Sequence, residues 1–234
     1  MAAIYLIRHG QASSGQDNYD QLSELGYRQA RRLGEVLGSR LPMFDQVYQG
    51  GMLRHKQTAE NCLSGFDKAI DDKSITVDVG WNEYDHQDIL RQFRPEFVDA
   101  AGVNQYIAKQ DNPKKAFEQD FNGAVDRWIS GEYDQDYVES WSEFSTRVRA
   151  AFENVIKQSV GKKNVAVFTS GGPISLVTQA LLGISEENIM QMNWTLLNCG
   201  VTKCVSTSSR VFLASLNEHA HFEGADYKSY LSYS

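Results

Sequence analysis

Two short segments hold the residues best suited to chemistry: Arg8-His9-Gly10-Gln11 near the amino terminus, and Thr169-Ser170-Gly171-Gly172 late in the chain. An arginine beside a histidine can pair a planar phosphate-binding fork with a nucleophile or base. A glycine-rich turn that opens a helix aims backbone N–H groups at an anion. Arg54, just after Gly50-Gly51, stands at a helix start, where a cation opposes the helix dipole and a bound anion would account for it. Motifs this short arise often by chance, so their weight depends on the elements that position them.

Those elements follow from hydrophobic pattern. Ala2 to Ile7 is apolar on every side and stops at Arg8, as expected of a central strand buried on both faces. Ser23 can cap a helix that carries Gly26, Ala30, Leu33, Leu37 and Leu41 on one face and ends before Pro42. Phe44 to Tyr48 predicts a second strand, and Leu53 to Leu63 a second helix. From Tyr84 to Glu139 this alternation is lost, and 12 acidic, 6 basic and nine aromatic residues predict a mostly helical insertion. Phe144, Val148, Ala151, Phe152 and Val155 restore the helical period. Val165 to Phe168 is another buried strand, leading into Ser170 and a helix with Pro173 in its first turn and Gly183 at its close. Val201 to Val205 and Val211 to Ala214 read as an antiparallel hairpin. Strand and helix in alternation argue for a parallel sheet, and such sheets bind ligands at the carboxyl ends of their strands. Both chemical segments lie at such ends.

The length of 234 residues and 41% hydrophobic content suffice for one compact domain. A net charge of −7 disfavours a nucleic-acid or anionic-membrane partner, so an anionic substrate needs a local basic pocket. Cys62, Cys199 and Cys204 are odd in number and lack CxxC spacing, so neither a disulfide framework nor a metal site is suggested. A reducing cytoplasm is the expected location. The apolar run after Met1 is too short for a signal peptide or a membrane span.

Taken in order, the segments resemble the histidine phosphatase superfamily, the phosphoglycerate mutase-like proteins. Ile4 to Gln11 is similar to the family's strand and RHG, and Leu22-Ser23-Glu24-Leu25-Gly26-Tyr27-Arg28-Gln29-Ala30 to its LTxxGxxQA-like helix start. Gly51 to Ala59 resembles its S-x-L-x-R-x-x-Q-T-A element, Asn82-Glu83 its acidic motif, and Val138-Glu139-Ser140 with Phe144 and Arg147-Val148 its GES...F..RV helix. Ser170-Gly171-Gly172-Pro173 stands where the family has HGG, and Asn217 to His221 is similar to its closing strand. The resemblance implies a three-layer α/β/α sandwich with a mainly parallel sheet, an antiparallel strand near the carboxyl end, and a single domain over 1–234 in which 84–138 is a helical cap. It also implies that His9 becomes a phosphohistidine, that Arg8 and Arg54 clamp the phosphoryl oxygens, and that Glu83 is the general acid and base, its pKa raised by Trp81 or Tyr84. Gln11, Ser14, Ser170 and Gly171 are the further candidate phosphate contacts. No metal or cofactor is expected. The implied partner is a small phosphorylated substrate, and a homodimer is compatible with it.

One position departs from the family pattern. Most members carry a second histidine, which donates to the phosphoryl group, where this chain has Ser170. A lost transition-state donor costs on the order of 100 to 1,000-fold in rate. Two readings follow: a phosphohydrolase with a reduced donor set, or a phospho-ligand-binding pseudoenzyme. His86, His219 and His221 are the candidates to supply the missing group. Ser170 as nucleophile is disfavoured because the GxSxG elbow would need glycine where Phe168 stands. Phosphoglycerate mutase activity is also disfavoured, since the mutases have Glu and a Trp-Asn pair after RHG where this chain has Gln11 and Ser13-Ser14. Arg91 and Arg94 are candidates for a second anionic group of the substrate, and Phe93, Phe97, Tyr106, Phe117 and Trp128 for an apolar one.

Overall fold

A computed structural model describes residues 1–13, 20–66 and 75–233. The candidate contact Ser14 lies outside the described residues. The chain divides into two compact units, Met1–Glu83 with Val148–Ser234, and Tyr84–Arg147.

The first unit is built on a six-stranded sheet. Its strands are β1 (Ala2–Arg8), β2 (Gln46–Gln49), β3 (Ile75–Val77), β4 (Asn164–Thr169), β5 (Val201–Ser206) and β6 (Val211–Glu218), in the order β3-β2-β4-β1-β5-β6. β1 pairs in parallel with β4, β4 with β2 and β2 with β3. β5 runs antiparallel to both β1 and β6, so it alone opposes the other five strands. β1 and β4 are central and nearly fully buried, which is why both read as unbroken apolar runs rather than as alternation.

The helices cover both faces. On one face α1 (Glu24–Arg40) and α2 (Leu53–Gly65) pack Leu33, Leu37, Cys62 and Leu63 against Ile7, Val47 and Phe168 of the strands. The alternate strand residues Ile4, Leu6, Val165 and Val167 are buried as well, on the face toward which β-strand geometry must send them. Ser23 caps α1 as expected, its hydroxyl accepting from the Gly26 amide at 3.1 Å. The helix that follows β4, spanning Gly171–Leu182, closes on Gly183 with φ of 65°, a left-handed conformation suited to glycine. β5 and β6 form the expected hairpin.

The second unit carries α3 (His86–Phe93), α4 (Ala100–Ile107), α5 (Pro113–Ile129) and the start of α6 (Trp141–Gln158). With α6 counted, Gly171–Leu182 is α7, and Ile189–Thr195 is α8. Tyr84, Trp128, Trp141 and Phe144 stack edge to face and tilted at 5.1 to 5.8 Å between ring centroids, so Trp128 is core here. Arg94 is held by the buried Asp120 carboxylate at 2.6 and 2.8 Å, and Arg91 pairs with Asp88 at 2.6 Å. Both arginines therefore already have an anion inside their own unit. Among the described residues no helix is long and apolar enough to cross a membrane.

Candidate functional site

The site lies where β1, β2 and β4 end together. Arg8 and Thr169 are paired across the parallel ladder, and the His9 amide donates to the Thr169 carbonyl at 2.8 Å, so the two chemical segments emerge side by side. The Gly50 amide donates to Phe168 O at 3.0 Å, which brings the end of β2 and the start of α2 to the same edge. The loop after His9 is pressed onto the start of α1: a Cβ on Gly10 would sit 2.5 Å from the Gly26 carbonyl oxygen, and one on Gly26 would sit 2.2 Å from the Gln11 carbonyl oxygen. Neither glycine can carry a side chain without moving backbone, which is the physical content of both motif glycines.

His9 is held from three directions. Its carbonyl accepts from the Asn198 side chain at 3.1 Å and from the Cys199 amide at 3.2 Å. Its Nδ1 lies 2.7 Å from the Gly10 carbonyl oxygen, which can only accept, so Nδ1 carries the proton and Nε2 keeps its lone pair. The ring is buried, and burial, followed by the charges of Arg54 and Arg8, holds its pKa well below 6.5. A neutral imidazole with an available Nε2 is the form a nucleophile requires.

The cations are anchored differently from one another. Arg8 donates to the backbone carbonyls of Leu196 and, at 3.2 Å, of Tyr233 near the carboxyl terminus. Arg54, only 5% exposed, donates to the Asp20 carboxylate at 2.7 Å, and the other oxygen of Asp20 accepts from the Leu53 amide at 2.7 Å. An anion does stand at the start of α2, as the helix-dipole argument demands, and it is the Asp20 carboxylate. Glu83 accepts from the Gly172 amide at 3.1 and 3.2 Å, which ties the acidic motif to the first turn of α7. Gln11 is committed to α1, its amide donating to Gln29 and its side-chain oxygen accepting from Ser23.

His55 was not singled out from the sequence, where it fills an unspecified position of the α2 motif. Its ring centroid is 5.9 Å from that of His9, and its Nε2 is 2.6 Å from Ser170 Oγ. Burial and the neighbouring Arg54 keep it neutral, well below 6.5. Of the other three candidate histidines, two belong to this unit and one to the second. His86 opens α3 in the other unit. His219 sits on the Asn217 carbonyl at 2.8 Å, and His221 packs on Phe222. The three cysteines are free and buried, their pKa values raised by desolvation, so none is a reactive thiolate.

Three buried neutral histidines make acid destabilising. His9, His55 and His221, the last lowered to about 3 mainly by burial, bind protons in the unfolded chain below about 6.5 but not in the folded one. Stability therefore falls as pH drops below about 6.5, by up to roughly 1.4 kcal/mol per pH unit for each. The urea midpoint is expected to be clearly lower at pH 5 than at pH 7. Equal midpoints would contradict neutral burial of these rings.

The family model of the histidine phosphatase superfamily (branch 1) matches residues 4–109 and 105–219. A 2,3-bisphosphoglycerate-dependent phosphoglycerate mutase of Leifsonia xyli subsp. xyli is 25% identical over 206 residues, 82% of this chain and 81% of that protein. A phosphoserine phosphatase mutant from Entamoeba histolytica, solved with phosphoserine, superposes with a TM-score of 0.64 at 20% identity over 95% of this chain and 100% of that one. A mycobacterial glucosyl-3-phosphoglycerate phosphatase gives 0.61 at 21% identity over 93% and 99%. Phosphoglycerate mutase from Bacillus anthracis gives 0.63 at 18% identity over 94% of each chain.

Proposed function

The chain belongs to the histidine phosphatase superfamily (branch 1), and from that premise we propose that it hydrolyses a phosphate monoester through a phosphohistidine at His9. The observation that carries this reading is the state of His9: buried, neutral, its Nδ1 proton spent on Gly10 and its Nε2 available, with Arg8 and Arg54 close enough to depress its pKa. Nε2 attacks phosphorus, the N–P bond forms as the ester P–O bond breaks, and the leaving alkoxide takes a proton from Glu83. Glu83 then takes a proton from the water that attacks phosphohistidine, which releases inorganic phosphate and restores Nε2. The two guanidinium groups supply the positive charge that stabilises the equatorial oxygens of the loose transition state, and in a site with little water they act strongly. For that duty Arg8 exchanges the Tyr233 carbonyl, and Arg54 the Asp20 carboxylate, for phosphoryl oxygens. Nothing in this step calls for a metal.

Arg91 and Arg94 are already paired within the unit Tyr84–Arg147, to Asp88 and Asp120, so neither is needed as the contact for a second anionic group of the ester. Hydrolysis is preferred to mutase chemistry because Gln11 and Ser13 stand where the mutases carry other residues. The test is covalent trapping. After brief mixing with p-nitrophenyl phosphate and rapid denaturation, an acid-labile, base-stable phosphate is expected on the peptide that contains His9. Micromolar binding of inorganic phosphate with no such adduct and no turnover would replace hydrolysis with phospho-ligand binding.

A further inference from the structure

Gly50 at the end of β2, His55 in the first turn of α2 and Ser170 at the head of α7 fit one another as a set. His55 and Ser170 have no solvent exposure, and Nε2 lies 2.6 Å from Oγ. The imidazole fits only because residue 50 is glycine, since a Cβ there would lie 2.2 Å from its Nδ1 and 2.8 Å from its Cε1. Ser170 occupies the N-cap position of α7, yet its hydroxyl makes no capping bond to the helix. Serine is a favoured cap, so its engagement with His55 instead indicates another use for the hydroxyl. His55 Nδ1 is buried without a hydrogen-bond partner, a costly state that calls for a reason. Beside this pair stands the His9 ring.

We propose that His55 and Ser170 act as one phosphoryl donor, replacing with two residues the single histidine that most of the family carries at position 170. His55 Nε2–H donates to Ser170 Oγ, and the Ser170 hydroxyl proton donates to a non-bridging oxygen of the phosphoryl group on His9. This assignment leaves His55 Nδ1 as an unpaired acceptor, and it leaves the serine proton for the substrate. The reverse direction would consume the serine proton on the ring and bury an unpaired N–H. Ser170 touches the phosphoryl group; His55 is a positioning residue that orients and polarises the hydroxyl. The inference rests on the phosphohydrolase reading for its kinetics but not for phosphate binding, and the two can fail separately.

Two measurements run side by side on each variant: turnover of p-nitrophenyl phosphate, and inorganic phosphate affinity by calorimetry, with melting temperature as a folding control. His55→Ala and Ser170→Ala should each lower kcat on the order of 100-fold, the cost of one transition-state donor, and the double variant should lose no more than either alone, because the pair is one unit. His55→Gln, which keeps an N–H donor, should retain more activity than His55→Ala. Ser170→His alone should lose activity and melt earlier, since the new ring meets His55. In His55→Ala/Ser170→His the vacated space accepts that ring, and kcat should return to within about tenfold of the wild type. Single variants with wild-type kcat and wild-type phosphate affinity would overturn the proposal. So would losses that multiply in the double alanine variant, or a folded exchange variant no better than His55→Ala. If the wild type shows no His9-dependent turnover, the hydrolase reading fails, while the pair stands or falls on whether Ser170→Ala and His55→Ala weaken phosphate binding about tenfold or more.

Discussion

His9→Ala is expected to lower turnover of any accepted phosphate ester on the order of 10⁴-fold or more, leaving the fold intact and inorganic phosphate still bound. The size follows from the two-step chemistry: without Nε2 there is no N–P bond to form, and removal of a covalent nucleophile costs more than removal of a stabilising donor. Binding survives because the phosphoryl oxygens are held by the Arg8 and Arg54 guanidinium groups, and no hydrogen bond that places either group, to Leu196, Tyr233 or Asp20, involves the His9 ring. The removed imidazole is buried, so some stability is exchanged. The ring gives up its bond to the Gly10 carbonyl and its contact with His55, and the alanine variant no longer has a histidine there to resist protonation below about 6.5. Steady-state kinetics with a calorimetric phosphate titration on the same sample checks both halves. Retained turnover in a folded His9→Ala would end the phosphohistidine mechanism.

The strands that carry Arg8, His9 and Ser170 were legible because a central parallel strand leaves a continuous apolar run and stops where the site begins. The start of α1 was legible for an equally local reason, the capping serine three residues before Gly26. Long-range pairings carry no such mark. Asp20 reaches Arg54 from a different loop, and no spacing links them. The Tyr233 carbonyl reaches Arg8 across almost the whole chain, and a backbone oxygen has no residue type to notice. His55 is the instructive omission. It follows Arg54 directly, but at a position where the motif specifies nothing, and nothing local marks it above His86, His219 or His221. Two residues could have pointed to it, the glycine at 50 that leaves room for the ring and the serine at 170 that gives it a partner. Each looks neutral or damaging on its own, and only the fold shows that they meet. Likewise Arg91 and Arg94 read as available cations in the sequence, because nothing local announces that Asp88 and the buried Asp120 will claim them.

Glu83→Gln should separate esters by their leaving groups. A general acid matters in proportion to the basicity of the departing oxygen, so an alkyl phosphate, which leaves as a strongly basic alkoxide, should lose on the order of 10² to 10⁴-fold in kcat. p-Nitrophenyl phosphate, whose phenolate leaves without a proton, should lose far less in the first step and be limited instead by hydrolysis of phosphohistidine, where Glu83 is needed as base. The variant should therefore release nitrophenolate in a burst equal to the enzyme concentration and then turn over slowly, with phosphate retained on His9. The geometry supports a clean substitution, since Glu83 accepts from the Gly172 amide and the glutamine oxygen can keep that bond while the ability to transfer a proton is lost. The distinction is sharp because a merely structural Glu83 would lower both substrates alike and give no burst. Equal losses on alkyl and nitrophenyl esters, with linear progress curves, would assign Glu83 to holding the first turn of α7 and leave the proton transfer to another group.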